Sequence, residues 1–177
     1  MGDRLMIRKL IQRMALLMAI EMSLAILLAY WGGLAFGRYI GENIYISALW
    51  CVVSTVLVLQ ILLNESFETA WLRIVGSFIG SLISCAAVIL LGYHIGTLLL
   101  AVFLTIIVVA LLKIKETLRL ATLTATVIII IGIANPNTPV WLNSLSRFIE
   151  SVIGTIIAIS FTALFLPLRR RYNLLNK

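Results

Sequence analysis

Charge is scarce in this sequence, and so are the residue types from which most soluble active sites are built. Only 12% of the residues are charged, against about a quarter in an ordinary soluble domain. Histidine occurs once, at His94, and cysteine twice, at Cys51 and Cys85. A metal centre needs three or four converging ligands, and this set, with no Cys-x-x-Cys spacing, does not supply them. Both cysteines lie in apolar runs and read as small buried hydrophobes rather than disulfide partners. No metal and no cofactor is expected. The chain also lacks a nucleophile placed beside a base, a glycine loop to cradle phosphate, and a carboxylate pair with supporting ligands, so it is not expected to be an enzyme.

What the chain has in excess is hydrocarbon. Hydrophobic residues make up 62% of its 177 positions, more than the core of a water-soluble fold of this size can hide. The composition therefore predicts an all-α integral membrane protein. Apolar runs fall at about 14–37, 44–63, 71–91, 96–112, 118–134 and 145–166, near the roughly 20 residues that cross a bilayer as helix. Between them stand "GRYIGEN", "NESFE", "GYHIG", "KIKETLR" and "NPNTP", which carry turn chemistry. The expected layout is a basic cytoplasmic N-terminus over 1–13, six spans over 14–166, and a basic cytoplasmic tail over 167–177. The net charge of +7 sits beside apolar segments rather than on a soluble face, so nucleic acid is not an expected partner but membrane lipid is. With both termini in the cytoplasm, Arg4, Arg8, Lys9, Arg13, Arg73, Lys113, Lys115, Arg119, Arg169, Arg170, Arg171 and Lys177 fall inside. Only Arg38 and Arg147 fall outside. This bias matches the positive-inside rule for an inner-membrane protein.

The third run opens with a cation and continues with small residues: "ETAWLRIVGSFIGSLIS". At 100° per residue, Arg73, Ser77, Gly80, Ser84 and Ala87 share one stripe, with Gly76 and Ser81 forming small-xxx-small patterns beside it. Lipid tails are as apolar as leucine, so spans associate where small residues let backbones approach. Arg73, at the mouth of this seam, is expected to snorkel to headgroups or to pair with an acid. Seventy-four residues later "RFIESVIGTIIA" places Arg147, Ser151, Gly154 and Thr155 where Arg73, Ser77, Gly80 and Ser81 stand. One offset mapping the first three spans onto the last three predicts two three-helix repeats, inverted in the membrane as in many secondary transporters.

The polar residues inside the runs are the candidate site. Glu21, about two turns into the first span, must pair, face water or hold a proton, and is the candidate for proton coupling. Trp50 and Gln60, with Ser47, Ser54 and Asn64, share a face of the second span suited to a flat polar ligand. Arg147 and Glu150, at i and i+3, read as a local ion pair at the outer mouth. His94 reads as an interfacial residue in a tight turn, and Thr122 as a hydroxyl bonding back to its own helix.

"YISALWCVVSTVLVLQ", "RIVGSFIGSLIS", "RFIESVIGTIIA" and "LFLPLRRR" together resemble the membrane module of the fusaric-acid-resistance-like proteins, also called aromatic acid exporters. The matching positions are Trp50, Gln60, Arg73, Gly76, Ser77, Gly80, Arg147, Gly154, Thr155 and Pro167. The resemblance implies an inner-membrane protein that exports aromatic or amphipathic organic acids, driven by an ion gradient. Arg73 would attract the carboxylate, Trp50 would stack on the ring, Gln60 and Arg147 would be further contacts, and Glu21 would couple a proton. Many members carry a large cytosolic domain that this chain lacks, which leaves open an alternative: a small membrane-embedded assembly subunit with no transport of its own. Two small-residue seams on six short helices favour a homo-oligomer.

Overall fold

A computed structural model of the chain describes residues 2–171, and the side chains of residues 15–169. Tyr172 to Lys177, the end of the expected basic tail, lie outside the described residues. So do the side chains of Arg4, Arg8, Lys9, Arg13, Arg170 and Arg171.

The described elements are helices: α1 (Gly2–Ile40), α2 (Ile44–Val58), α3 (Leu63–Leu91), α4 (Ile95–Leu111), α5 (Leu118–Ala134) and α6 (Val140–Arg171), with a 3-10 turn at Lys115–Thr117. Segments of α1, α3, α5 and α6 are long and apolar enough to cross a membrane, while α2 and α4 are shorter apolar helices. The links are short and their chemistry is local. Gly41, at φ +79°, lets the chain turn out of α1. The Asn43 side chain then accepts from the Tyr45 N–H at 3.1 Å and so caps α2. His94 does the same for α4, accepting from the Thr97 N–H at 3.2 Å.

Several expected boundaries move. Helix continues through 2–13 and through 167–171, so the two ends extend α1 and α6. The "NESFE" segment is not a turn, because Asn64 to Glu68 belong to α3. The break comes earlier, at Leu59–Leu62, and leaves Gln60 beyond the end of α2. An apolar break is tolerable only where its backbone groups find partners. Here the Gln60 N–H donates to Ser66 Oγ at 3.0 Å, and the carbonyls of Gln60 and Ile61 accept from Arg169.

Packing reverses the soluble pattern. The apolar core is built largely of small residues such as Ala25, Ala70, Ala101, Ala121 and Ala158, while Trp71, Leu90 and Leu111 point outward. The three largest fully buried side chains are arginines: Arg73, Arg147 and Arg169. Helix α3 packs mainly on α5 and α6, α2 on α1 and α6, and α4 on α5 and α3. α3 and α6 run antiparallel: Ser66 bonds Thr162 at 3.1 Å, Ser77 bonds Ser151 at 2.7 Å, and the Phe78 and Phe148 rings meet edge-on at 5.7 Å.

All the small residues of the two stripes are buried: Gly76, Ser77, Gly80, Ser81 and Ser84 on α3, and Ser151, Gly154 and Thr155 on α6. A Cβ at Gly80 would collide with the Ala121 carbonyl, and one at Gly154 with the Cys51 carbonyl. Across that second crossing the Thr55 hydroxyl donates to the Gly154 carbonyl at 2.9 Å. The residues met at the two crossings, Cys51 and Ala121, are 70 positions apart. A single offset of 74 therefore does not carry α2 onto α5, although it relates Ser77 to its partner Ser151.

Candidate functional site

Arg73 lies ten residues past the start of α3 at Leu63, about 15 Å along the helix axis. It is wholly buried between helices. α3 starts at Leu63, earlier than the apolar run suggests, so Arg73 lies well within the helix rather than at its first turn. Its Nε and Nη2 donate to Ser54 Oγ at 3.3 and 3.0 Å. Its guanidinium carbon lies 5.3 Å from the centre of the Trp50 ring, within cation–π range. Nη1 has no partner, nor has the indole Nε1 of Trp50. Among the described residues, no acid lies within ion-pair distance of Arg73.

Arg147 occupies the corresponding place on α6, four residues before Ser151 as Arg73 is four before Ser77. Its surroundings are the opposite. It donates to Glu42 at 2.6 Å, and Glu150 stands 3.0 Å away without hydrogen-bond alignment. Glu150 fills the position that Gly76 holds on α3, where even a methyl group would press on Thr117 and Leu120 at 3.0 Å. One buried arginine therefore has two acids while its counterpart has none. A cavity of about 270 Å³ borders Arg147 and is lined by Glu42, Asn43, Asn135, Thr138 and Asn143.

Glu21 does not meet Arg73. It is fully buried and pairs with Arg169, which also takes the Gln60 and Ile61 carbonyls and so ties α1 and α6 to the α2–α3 link. Gln60 thus enters through its backbone. Thr122 bonds back to the Leu118 carbonyl at 2.8 Å. Sequence reasoning missed two participants. Arg169 heads an Arg-Arg-Arg run that resembles an interfacial anchor, and Glu42 sits in a turn segment. Neither carries a local signal of burial, because each acquires its partner from a distant helix.

A family model described as fusaric acid resistance protein-like matches residues 24–161. The chain belongs to this family. No curated protein and no solved structure matches it. Membership in the fusaric acid resistance protein-like family, with the apolar helices, makes this a multi-pass membrane protein and points to a transporter-like function. The family stretch holds Trp50, Arg73, Arg147 and Glu150, whereas Glu21 and Arg169 lie just beyond its two ends.

Proposed function

We propose that this family member exports aromatic or other amphipathic organic acids across the cytoplasmic membrane. The reading takes the chain as six spans in two inverted three-helix repeats, with both termini cytoplasmic. The single observation that carries it is Arg73: a guanidinium wholly buried beside an indole, with a free N–H and no acid among the described residues. A buried cation without a counter-ion is costly, and an incoming carboxylate relieves that cost with charge-assisted hydrogen bonds. Trp50 offers an aromatic edge and an unused indole N–H beside the same point. Arg147 sets the contrast, since its charge is already answered by Glu42 and Glu150.

The repeat reading is supported by the pairing of helices. Exchanging α1, α2 and α3 with α4, α5 and α6 reproduces the same set of principal neighbours. Ser77 and Ser151 then bond each other across the exchange axis, and Arg73 and Arg147 lie about 6 Å to either side of it. Inverted repeats with a polar site near their shared axis are a recurring transporter design. Glu21 is balanced one to one by Arg169, and we assign that pair to holding α1 on α6.

Arg73 is fully covered within one chain. Access for a solute therefore requires helix movement, and we take a homo-oligomer as the form whose partner surface would hold the moved helices. The same complete burial favours the second reading, an assembly subunit whose polar centre is purely structural. A growth challenge with fusaric acid in a host lacking the protein tests the first reading. Wild type should restore tolerance, Arg73→Ala should not, and Glu21→Gln should restore it only in part through weakened assembly. Equal sensitivity of all strains, with and without the protein, removes the export claim.

A further inference from the structure

Charge around Arg147 does not balance. Glu42, in the link after α1, and Glu150, on α6, both face this one guanidinium, so with both acids ionised the cluster carries one surplus negative charge. The surplus is sealed in. Glu150 is 0% exposed, Arg147 1%, and the Glu42 side chain 9%. Glu42 takes the aligned 2.6 Å hydrogen bond, which leaves both Glu150 oxygens without a donor. The other groups facing Glu150 are the Ser47 hydroxyl, which closes no hydrogen bond, and the Cys51 thiol, both on α2. Tyr93, from the α3–α4 link, approaches Asn143 beyond. None of these supplies the missing positive charge.

We propose that Glu150 is an exchangeable-proton site served by the cavity at Glu42. A proton is the occupant the geometry favours. A metal ion needs several converging oxygens, and Glu150 meets an arginine, a serine and a thiol instead. The approach is polar: the cavity of about 270 Å³ reaches Glu42 and Arg147, which stands between Glu42 and Glu150, and both Glu42 Oε1 and Asn143 Oδ1 are buried there without partners. The proton passes from cavity water to Glu42, and from that carboxyl to a Glu150 oxygen as Arg147 swings between the two acids. Loaded, the cluster is neutral, with Arg147 paired to Glu42. Unloaded, Arg147 must divide itself between two carboxylates. The Arg169–Glu21 pair, matched one to one, has no such surplus. Use of the site for coupling rests on the export reading; its occupancy by a proton does not.

Infrared difference spectroscopy of the purified full chain reads this without any substrate. Wild type around neutral pH should show a protonated-carboxyl C=O band that shifts in D₂O. The band should vanish in Glu150→Gln and persist in Glu21→Gln. It should vanish also in Glu42→Gln, because removal of the second acid leaves Arg147 and Glu150 balanced, and the glutamine carbonyl can still accept from Arg147. A band that survives in either Glu150→Gln or Glu42→Gln, or that is absent from wild type, overturns the proposal. So does a band abolished by sodium at constant pH, which would make a metal cation the occupant. An export failure with this band pattern intact would count against the transport reading alone.

Discussion

At Gly154 the α6 backbone comes so near to α2 that an added methyl would collide with the Cys51 carbonyl and lie 2.8 Å from Ser54 Cβ. Neither obstacle is the tip of a flexible side chain, so the helices must separate. Ser54 is also the acceptor that holds Arg73, so the same displacement reaches the buried cation. Gly154→Ala should therefore destabilise the protein by about 1–3 kcal/mol, the usual range for overpacking. Gly32→Ala is the control, since its nearest neighbours would be ordinary contacts at 3.7 Å. Thermal unfolding in detergent should show a lower midpoint for Gly154→Ala and little change for Gly32→Ala. Equal midpoints for both would mean that the α2–α6 approach is looser than described.

Elements meet through hydroxyls and glycines rather than through interlocked large side chains. α3 and α6 are the axial pair, and their antiparallel register is defined by two hydroxyl contacts, Ser66 with Thr162 and Ser77 with Ser151. Converting each pair to cysteines, with Cys51 and Cys85 replaced by alanine, should give efficient crosslinking by a membrane-permeant oxidant, because the side chains already touch. The mismatched combination Ser66→Cys with Ser151→Cys should stay reduced. Crosslinking of that mismatch, or of neither true pair, would overturn the register. This level of organisation was partly legible beforehand. The small-residue stripes and the extent of α5 follow from local pattern, because lipid rewards close backbone approach wherever glycine and serine recur one turn apart. The position of the α2–α3 break was not legible, since no Gly or Pro marks Leu59 to Leu62 and the freed carbonyls are satisfied by Arg169, more than 100 residues away. The fate of the arginines was hidden for the same reason. Burial of Arg169 depends on Glu21, and the surplus charge at Arg147 depends on Glu42, so neither can be read within its own window.

Among the described residues many bulky apolar side chains lie on the outside of the bundle, while Glu21, Glu150, Arg73, Arg147 and Arg169 are buried among small residues. Arg73, Arg147 and Arg169 are buried between helices, and the charge bias of the proposed orientation can be taken without them. Arg38 then remains as the one outer cation of the assigned topology, and the asymmetry of the ends persists without them. Among the described residues the polar centres differ in charge balance: Arg169 has one acid, Arg73 none and Arg147 two. The export proposal assigns an anion to the second and a proton to the third. The most direct test is uptake or release of fusaric acid by liposomes holding the purified chain, under an imposed proton gradient. Wild type is expected to move the acid and Arg73→Gln, folded by thermal unfolding, to move at least tenfold less, on the order of the 1.4 kcal/mol or more that a lost charge-assisted contact costs. Transport by Arg73→Gln at the wild-type rate, or none by wild type under any gradient, contradicts the account.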